Sequence, residues 1–321
     1  MTDEGFAGRL HPEARALLAA FEERGVPPFD RMSVLQARAS VAASTRVQGA
    51  RPEVAEVRDL LVPADGRRLP VRVYHPAPGE TRPLLVYLHG GGFVTGSVAV
   101  ADRPCRALAL AAGCVVVSVE YRLAPETPFP GPLEDAVAAV RWAAAHAAEL
   151  GADAGRLVVA GDSAGGALAT SVGRVLRDDG GPAVARQVLL YPTLAPVRGR
   201  STPSLERNGE GYSLTRGALE WFWDHHLSRP EDAEDPLAVP LRAPDLAGLP
   251  PATVVVAEFD PLLDEGVEYA GRLAAAGVEV TLHRVPGMFH GFWWMGGALS
   301  QAGELTAWLG AHLRTTWDQL A

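Results

Sequence analysis

The segment Gly161-Asp162-Ser163-Ala164-Gly165-Gly166 sets a serine hydroxyl among glycines, where an apolar run, Arg156 to Ala160, gives way to an alanine-rich stretch. A strand that turns sharply into a helix needs glycines beside the turning residue, because the backbone segments approach too closely there for a β-carbon. The hydroxyl then projects at the first turn of a helix, whose free N–H groups and dipole favour negative charge. A G-x-S-x-G pattern in a strand-turn-helix setting is the arrangement of a serine that attacks carbonyl carbon. The plain alternative is an ordinary glycine-serine turn, and the strand and helix on either side argue against it.

A second cluster, His89-Gly90-Gly91-Gly92-Phe93, follows the apolar run Leu84 to Leu88. Three successive glycines let backbone N–H groups converge on one point, as the oxyanion of a tetrahedral intermediate requires. Gly91 and Gly92 are expected to supply two donors and Ala164 a third, with Gly90 as the substitute. His89 reads as a structural hydrogen-bonder rather than a base.

A nucleophile of this kind is followed along the chain by an aspartate or glutamate and then a histidine. Asp260 comes just after the run Thr253 to Ala257, and His290 just after Val278 to Val285. Both fall where Ser163 falls, past the carboxyl end of a strand. Asp264 and Glu265 are rivals, read instead as charges on the first turn of a helix. His283 lies within the last strand, His225 and His226 in an aromatic helix, and His11, His75 and His146 on presumed surface. These six are read as solvated or packed.

Such a site needs a frame. Runs rich in Val and Leu recur at Leu84 to Leu88, Cys114 to Val119, Leu157 to Ala160, Val188 to Tyr191, Thr253 to Ala257 and Val278 to Val285, separated by helical stretches. Near-continuous apolar strands alternating with helices imply an α/β class with a mostly parallel central sheet and helices on both faces. Asp65-Gly66 marks a hairpin between Glu56 and His75. Residues 1 to about 50 read as helical, with Leu17, Leu18 and Phe21 in helix period and a second stretch from Met32 to about Val47. The rhythm breaks between about 196 and 249, too long for an ordinary connection. Its one aromatic helix candidate is Leu214 to Leu227. The first 50 residues and this insertion are expected to form a helical cap over the carboxyl edge of a catalytic domain spanning 51–321.

Composition removes other classes. All 29 basic residues are arginine; there is no lysine and no isoleucine. Schiff-base chemistry, Walker-type phosphate loops and serine-lysine catalysis each need a lysine. A net charge of −9 argues against a nucleic-acid footprint. No apolar run approaches the roughly 18 residues of a membrane span. The acidic start, without a basic or apolar leader pattern, points to a cytoplasmic protein. Cys105 and Cys114 read as buried free thiols. No metal and no organic cofactor is implied.

Taken in order, His89-Gly-Gly-Gly, Tyr121-Arg-Leu-Ala-Pro-Glu126, Gly161-Asp-Ser-Ala-Gly-Gly166, Asp260-Pro and Gly287-Met-Phe-His290-Gly resemble the hormone-sensitive-lipase family of bacterial esterases. The likeness runs from about residue 80 to the C-terminus. It implies an α/β-hydrolase fold with Ser163 as nucleophile, His290 as base, Asp260 as its orienter, and the triglycine as oxyanion hole. It also favours short to medium acyl chains, and a preference for esters of about two to eight carbons follows from a capped site. Phe93, Trp221, Trp223 and Trp293 are the expected pocket residues, with Phe222 and Trp294 also available. Residues 221 to 223 cannot share one helix face. Glu126 and Asp162 are expected to brace loops. The partner is a small ester, and an edge strand near the C-terminus offers a route to a homodimer. Two other readings stay open: an amidase, peptidase or acyltransferase on the same triad, and a ligand receptor whose triad is disabled.

Overall fold

The computed structural model describes residues 10–320. The first nine residues of the expected cap, and the leader reading made on them, lie outside the described residues. The chain opens with helices α1 (Pro12–Glu23) and α2 (Val34–Ala43), then a hairpin of β1 (Glu56–Ala64) and β2 (Arg67–His75). Asp65 and Gly66 both take positive φ, 42° and 79°, the two-residue turn whose twist suits a hairpin.

From there strands and helices alternate: β3 (Arg82–Leu88), α3 (Val98–Ala112), β4 (Val115–Val119), α4 (Gly131–Ala145), β5 (Ala152–Asp162), α5 (Ala164–Asp178) and β6 (Arg186–Leu190). The stretch after β6 carries α6 (Pro203–Asn208) and α7 (Arg216–His226). The chain then returns to the sheet with β7 (Ala252–Phe259), α8 (Leu263–Ala275), β8 (Val280–Phe289) and α9 (Ser300–Asp318).

Among the described residues eight strands form one sheet, ordered β1-β2-β4-β3-β5-β6-β7-β8. Pairing is antiparallel from β1 through β2 to β4 and parallel from there to β8. The inner parallel strands β4 and β7 are almost wholly buried and mainly apolar because both faces are covered, whereas the outer strand β8 carries half-buried Thr281, His283 and Arg284. The side chains of the parallel strands alternate between two cores. Leu84, Val86 and Leu88 join α4, α5 and α8 on one face. Leu85 and Tyr87 join α1, α3 and α9 on the other. Cys105 and Cys114 are buried on that second face.

The strand order decides where the chemistry sits. The connection from β3 runs outward to β4, and the next returns to the other side of β3, to β5. Open α/β sheets form a crevice at such a reversal, at the carboxyl ends of the strands. The triglycine loop leaves β3 and the serine turn leaves β5, where Leu88 pairs with Gly161. On the far side β7 and β8 pair Phe259 with Phe289, which sets Asp260 beside His290. β8 is the outer strand of the sheet at that edge.

Candidate active site

Ser163 stands between β5 and α5 with φ 53° and ψ −119°, a left-handed backbone that a side chain rarely adopts. The turn is held from both sides: Ser163 N–H donates to Leu190 O (2.8 Å), and Thr193 N–H donates to Ser163 O (3.2 Å). Gly165 explains the flanking glycines, since a β-carbon there would run into the carbonyls of Leu88 and His89. Helix α5 can therefore start directly behind the triglycine loop. Ser163 itself is buried except for a small opening.

Its hydroxyl meets His290, with Nε2 at 2.9 Å from Oγ. The other ring nitrogen, Nδ1, lies 2.8 Å from Asp260 Oδ2. An ionised carboxylate can only accept, so Nδ1 carries the ring proton and Nε2 offers its lone pair to the serine. Asp260 is fully buried and its second oxygen accepts the N–H of Leu262 (2.8 Å). Tyr191, itself at φ 35°, packs edge-on against the imidazole with ring centres 4.8 Å apart. The three residues singled out in the sequence thus form one hydrogen-bonded chain.

The triglycine loop is fixed from beneath. Asp162 accepts the N–H of Gly90 (2.7 Å) and the hydroxyl of Tyr87 (2.5 Å). Burial pushes its carboxyl up to about 6, against the pull of those two donors. Tyr121 donates its hydroxyl to His89 O (2.6 Å) and stacks on the His89 ring at 4.3 Å. Because Gly90 is committed to Asp162, it is no substitute donor for an oxyanion. Gly91, Gly92 and Ala164 make no N–H hydrogen bond among the described residues. Gly92 has φ 61°, and a β-carbon on it would strike the ring of Phe222.

The aromatic expectations need correcting. On α7 the buried face is Ala218, Leu219, Phe222, Trp223 and His226, one stripe at helical spacing. Phe222, not Trp221, lies over the triglycine loop. Trp221 sits half-buried at the side, against Phe222 and His225. Trp223 and Phe93 are both buried behind the loop, 5.5 Å apart, with Phe93 at φ 64° stacked on His226 at 3.7 Å. Trp293 is core: it is fully buried against Tyr87 and donates its indole N–H to Thr306 (2.8 Å). Adjacent aromatics on one helix point around its axis, so only the i, i+4 stripe, not the run itself, carried the signal.

Two further readings change. Of the presumed surface histidines, His75 is buried. Glu265 is not a solvated helix-end charge: it is buried, accepts Leu194 N–H (2.7 Å) and Arg200 Nη1 (3.1 Å), and burial pushes it up to about 8. Arg38, which carries no local signal, reaches from α2 to Val94 O (2.9 Å), Ala124 O (3.0 Å) and both oxygens of Glu126. That fork holds Glu126 down at about 2.

His89 and His226 support the loop as neutral rings. Burial pushes His89 down to about 4 and His226 down to about 3, outweighing the Gly90 carbonyl at the first and Asp232 at the second. Both values lie below that of a free imidazole. An unfolded chain therefore binds protons first as pH falls, and each ring subtracts stability from about pH 6.5 down to its folded value. Side-chain nitrogen NMR should find both rings neutral at about pH 5, where a free imidazole is protonated. A protonated signal from either ring at that pH would contradict this assignment.

Comparison with known proteins fits this geometry. Residues 85–294 match the family model described as the alpha/beta hydrolase fold. The chain is 41% identical over 286 residues to the esterase LipI of Mycobacterium tuberculosis, covering 87% of this chain and 88% of that one. It is 40% identical over 306 residues to an ethyl acetate hydrolase of Pseudomonas putida, covering 92% and 95%. A hyperthermophilic esterase from the archaeon Pyrobaculum calidifontis superposes with a TM-score of 0.91 at 39% identity, covering 98% of this chain and all of that one.

Proposed function

The chain belongs to the α/β-hydrolase family, in its hormone-sensitive-lipase branch, and is a carboxylic-ester hydrolase; from that premise we propose that Ser163, His290 and Asp260 perform the reaction. The observation that supports these roles is the chain of two hydrogen bonds, 2.9 and 2.8 Å, linking the three side chains. His290 takes the Ser163 proton as Oγ attacks the ester carbonyl, and Asp260 holds the ring tautomer and steadies the imidazolium. The negative oxygen of the tetrahedral intermediate is received by the N–H groups of Gly91, Gly92 and Ala164. His290 then protonates the leaving alcohol, and a water repeats the sequence on the acyl-enzyme to release the acid.

The described part of residues 1–50, from residue 10, and about 196–249 act in this reading as the cap of a catalytic domain spanning 51–321. Contact between Phe29 and Phe222, ring centres 5.1 Å apart, joins the two parts of that cap above Gly92. An aromatic ring so close to the oxyanion donors favours small acyl groups. Phe93 and Trp223 serve the substrate indirectly, as the backing of the loop. Among the described residues no helix is long and apolar enough to cross a membrane.

A panel of nitrophenyl esters with matched nitroanilides tests the reading. Esters of about two to eight carbons should be the best substrates, with kcat/KM falling for longer chains. Anilides should be slower by several orders of magnitude. Comparable rates on anilides would make the protein an amidase, and higher rates on emulsified long-chain lipid would reverse the size preference.

A further inference from the structure

The segment between β6 and α7 sends polar side chains directly to two of the loops that carry the triad, those of Asp260 and His290, and reaches the Ser163 turn only through Glu265 and the backbone beside Thr193. Asn208, buried at the last residue of α6, donates its side-chain N–H groups to the carbonyls of Glu258 (3.3 Å) and Asp260 (3.2 Å). Ser213, in the turn before α7, donates its hydroxyl to the carbonyl of His290 (2.8 Å). Arg200 bonds Glu265, whose other oxygen holds the N–H of Leu194, next to the Thr193 N–H that anchors Ser163. Ser204 adds a bond to Pro261 O (2.9 Å) and accepts from Asp264 N–H (3.1 Å).

Position makes these contacts consequential. Asp260 and His290 each stand one residue beyond a strand end, at Phe259 and Phe289, past the last pair of the ladder. Gly291 follows His290 at φ 78°, and a β-carbon on it would meet nothing within 4 Å, so the chain just beyond His290 has no side chain to pack it in place. Rotation about the N–Cα bond of His290 moves its carbonyl and its Cα–Cβ bond together, so a shift of that carbonyl carries Nε2 away from Ser163. The Ser213 hydroxyl closes this freedom. Asn208 does the same for Asp260 by gripping two carbonyls two residues apart.

We propose that Asn208 and Ser213 are positioning residues, through which the cap segment 200–213 sets the alignment of the acid and the base. The proposal rests on the triad roles given above. It places the cap in the chemical step as well as over the substrate, so the same ester should bind normally and react slowly when either contact is lost. A displacement of about 1 Å at a reacting group is enough to cost up to 100-fold in rate.

The test uses the full-length protein with p-nitrophenyl acetate, comparing Ser213→Ala, Ser213→Thr and Asn208→Ala. Each alanine variant should lose about tenfold in kcat while KM stays within about twofold, because binding contacts are untouched. Ser213→Thr, which keeps the hydroxyl, should recover most of the loss. Labelling by a nitrophenyl phosphonate should slow in parallel yet still reach one equivalent per chain, which excludes a misfolded fraction as the cause. An unchanged kcat in folded variants, a loss confined to KM, or a threonine variant no better than alanine would each overturn the proposal. Should Asn208→Ala fail to fold, the Ser213 pair decides alone. Ser163→Ala run alongside separates the two levels: activity surviving there removes the triad reading, which normal rates in the cap variants would not.

Discussion

Replacing Ser163 by alanine is expected to lower the turnover of p-nitrophenyl acetate by roughly 10⁵-fold or more, with little change in melting temperature. The size of the loss follows from how the hydroxyl is placed. His290 Nε2 lies 2.9 Å away, and nothing else in the site combines a nucleophilic oxygen with a base in line. Alanine keeps the β-carbon, so the unfavourable φ of 53° is neither relieved nor worsened. The backbone bonds from Leu190 and Thr193 also survive, since they use the main chain of residue 163. Substrate should therefore still bind. A residual rate of about 10³ over water is expected from the oxyanion donors and from His290 acting on a water. Steady-state assays, with mass spectrometry after phosphonate treatment, decide the matter: turnover within tenfold of the parent, or an adduct still formed on the variant, would remove Ser163 from the mechanism.

How far the sequence foretold this site depends on whether the signal was local. Ser163, Asp260 and His290 each sit a fixed step beyond an apolar run, and once those runs are strands of one parallel sheet their ends must share an edge. The hairpin at Asp65-Gly66 was legible for the same reason: two residues at positive φ leave few choices of type. Glu265 was not legible. An acidic residue at the third position of α8 looks like any charge that complements a helix dipole, and only the packing of Leu194 and Arg200 around it makes it a buried clamp. Arg38 and Glu126 are 88 residues apart, so no spacing connects them. Trp293 was not legible as core, because a tryptophan three residues past His290 reads as a pocket wall, whereas the short helical turn Phe292–Trp294 directs all three of its rings into the core. Asn208 and Ser213 carry ordinary polar signatures of a loop, and their targets are backbone carbonyls, which no side-chain pattern reveals.

Asp260→Asn separates geometry from proton placement, and it is expected to cost about 10³ to 10⁴ in kcat with KM near that of the parent. The argument turns on Leu262. Its N–H donates to one oxygen of Asp260 at 2.8 Å, while His290 Nδ1 takes the other at 2.8 Å. An asparagine at this buried position has one acceptor and one donor end. Facing its NH₂ toward Leu262 N–H would set donor against donor, at a cost of about 1–3 kcal/mol for the unsatisfied group. The amide oxygen therefore stays with Leu262, and the NH₂ is directed at His290 Nδ1. The imidazole can accept there only by moving its proton to Nε2, which then points a hydrogen at Ser163 Oγ instead of a lone pair. The triad keeps its shape and loses its base. Nitrogen NMR of His290 should show Nε2 protonated in the variant and Nδ1 protonated in the parent, alongside the fall in kcat. A variant that turns over within tenfold of the parent, or that keeps the proton on Nδ1, would show that Asp260 does not set the tautomer of His290.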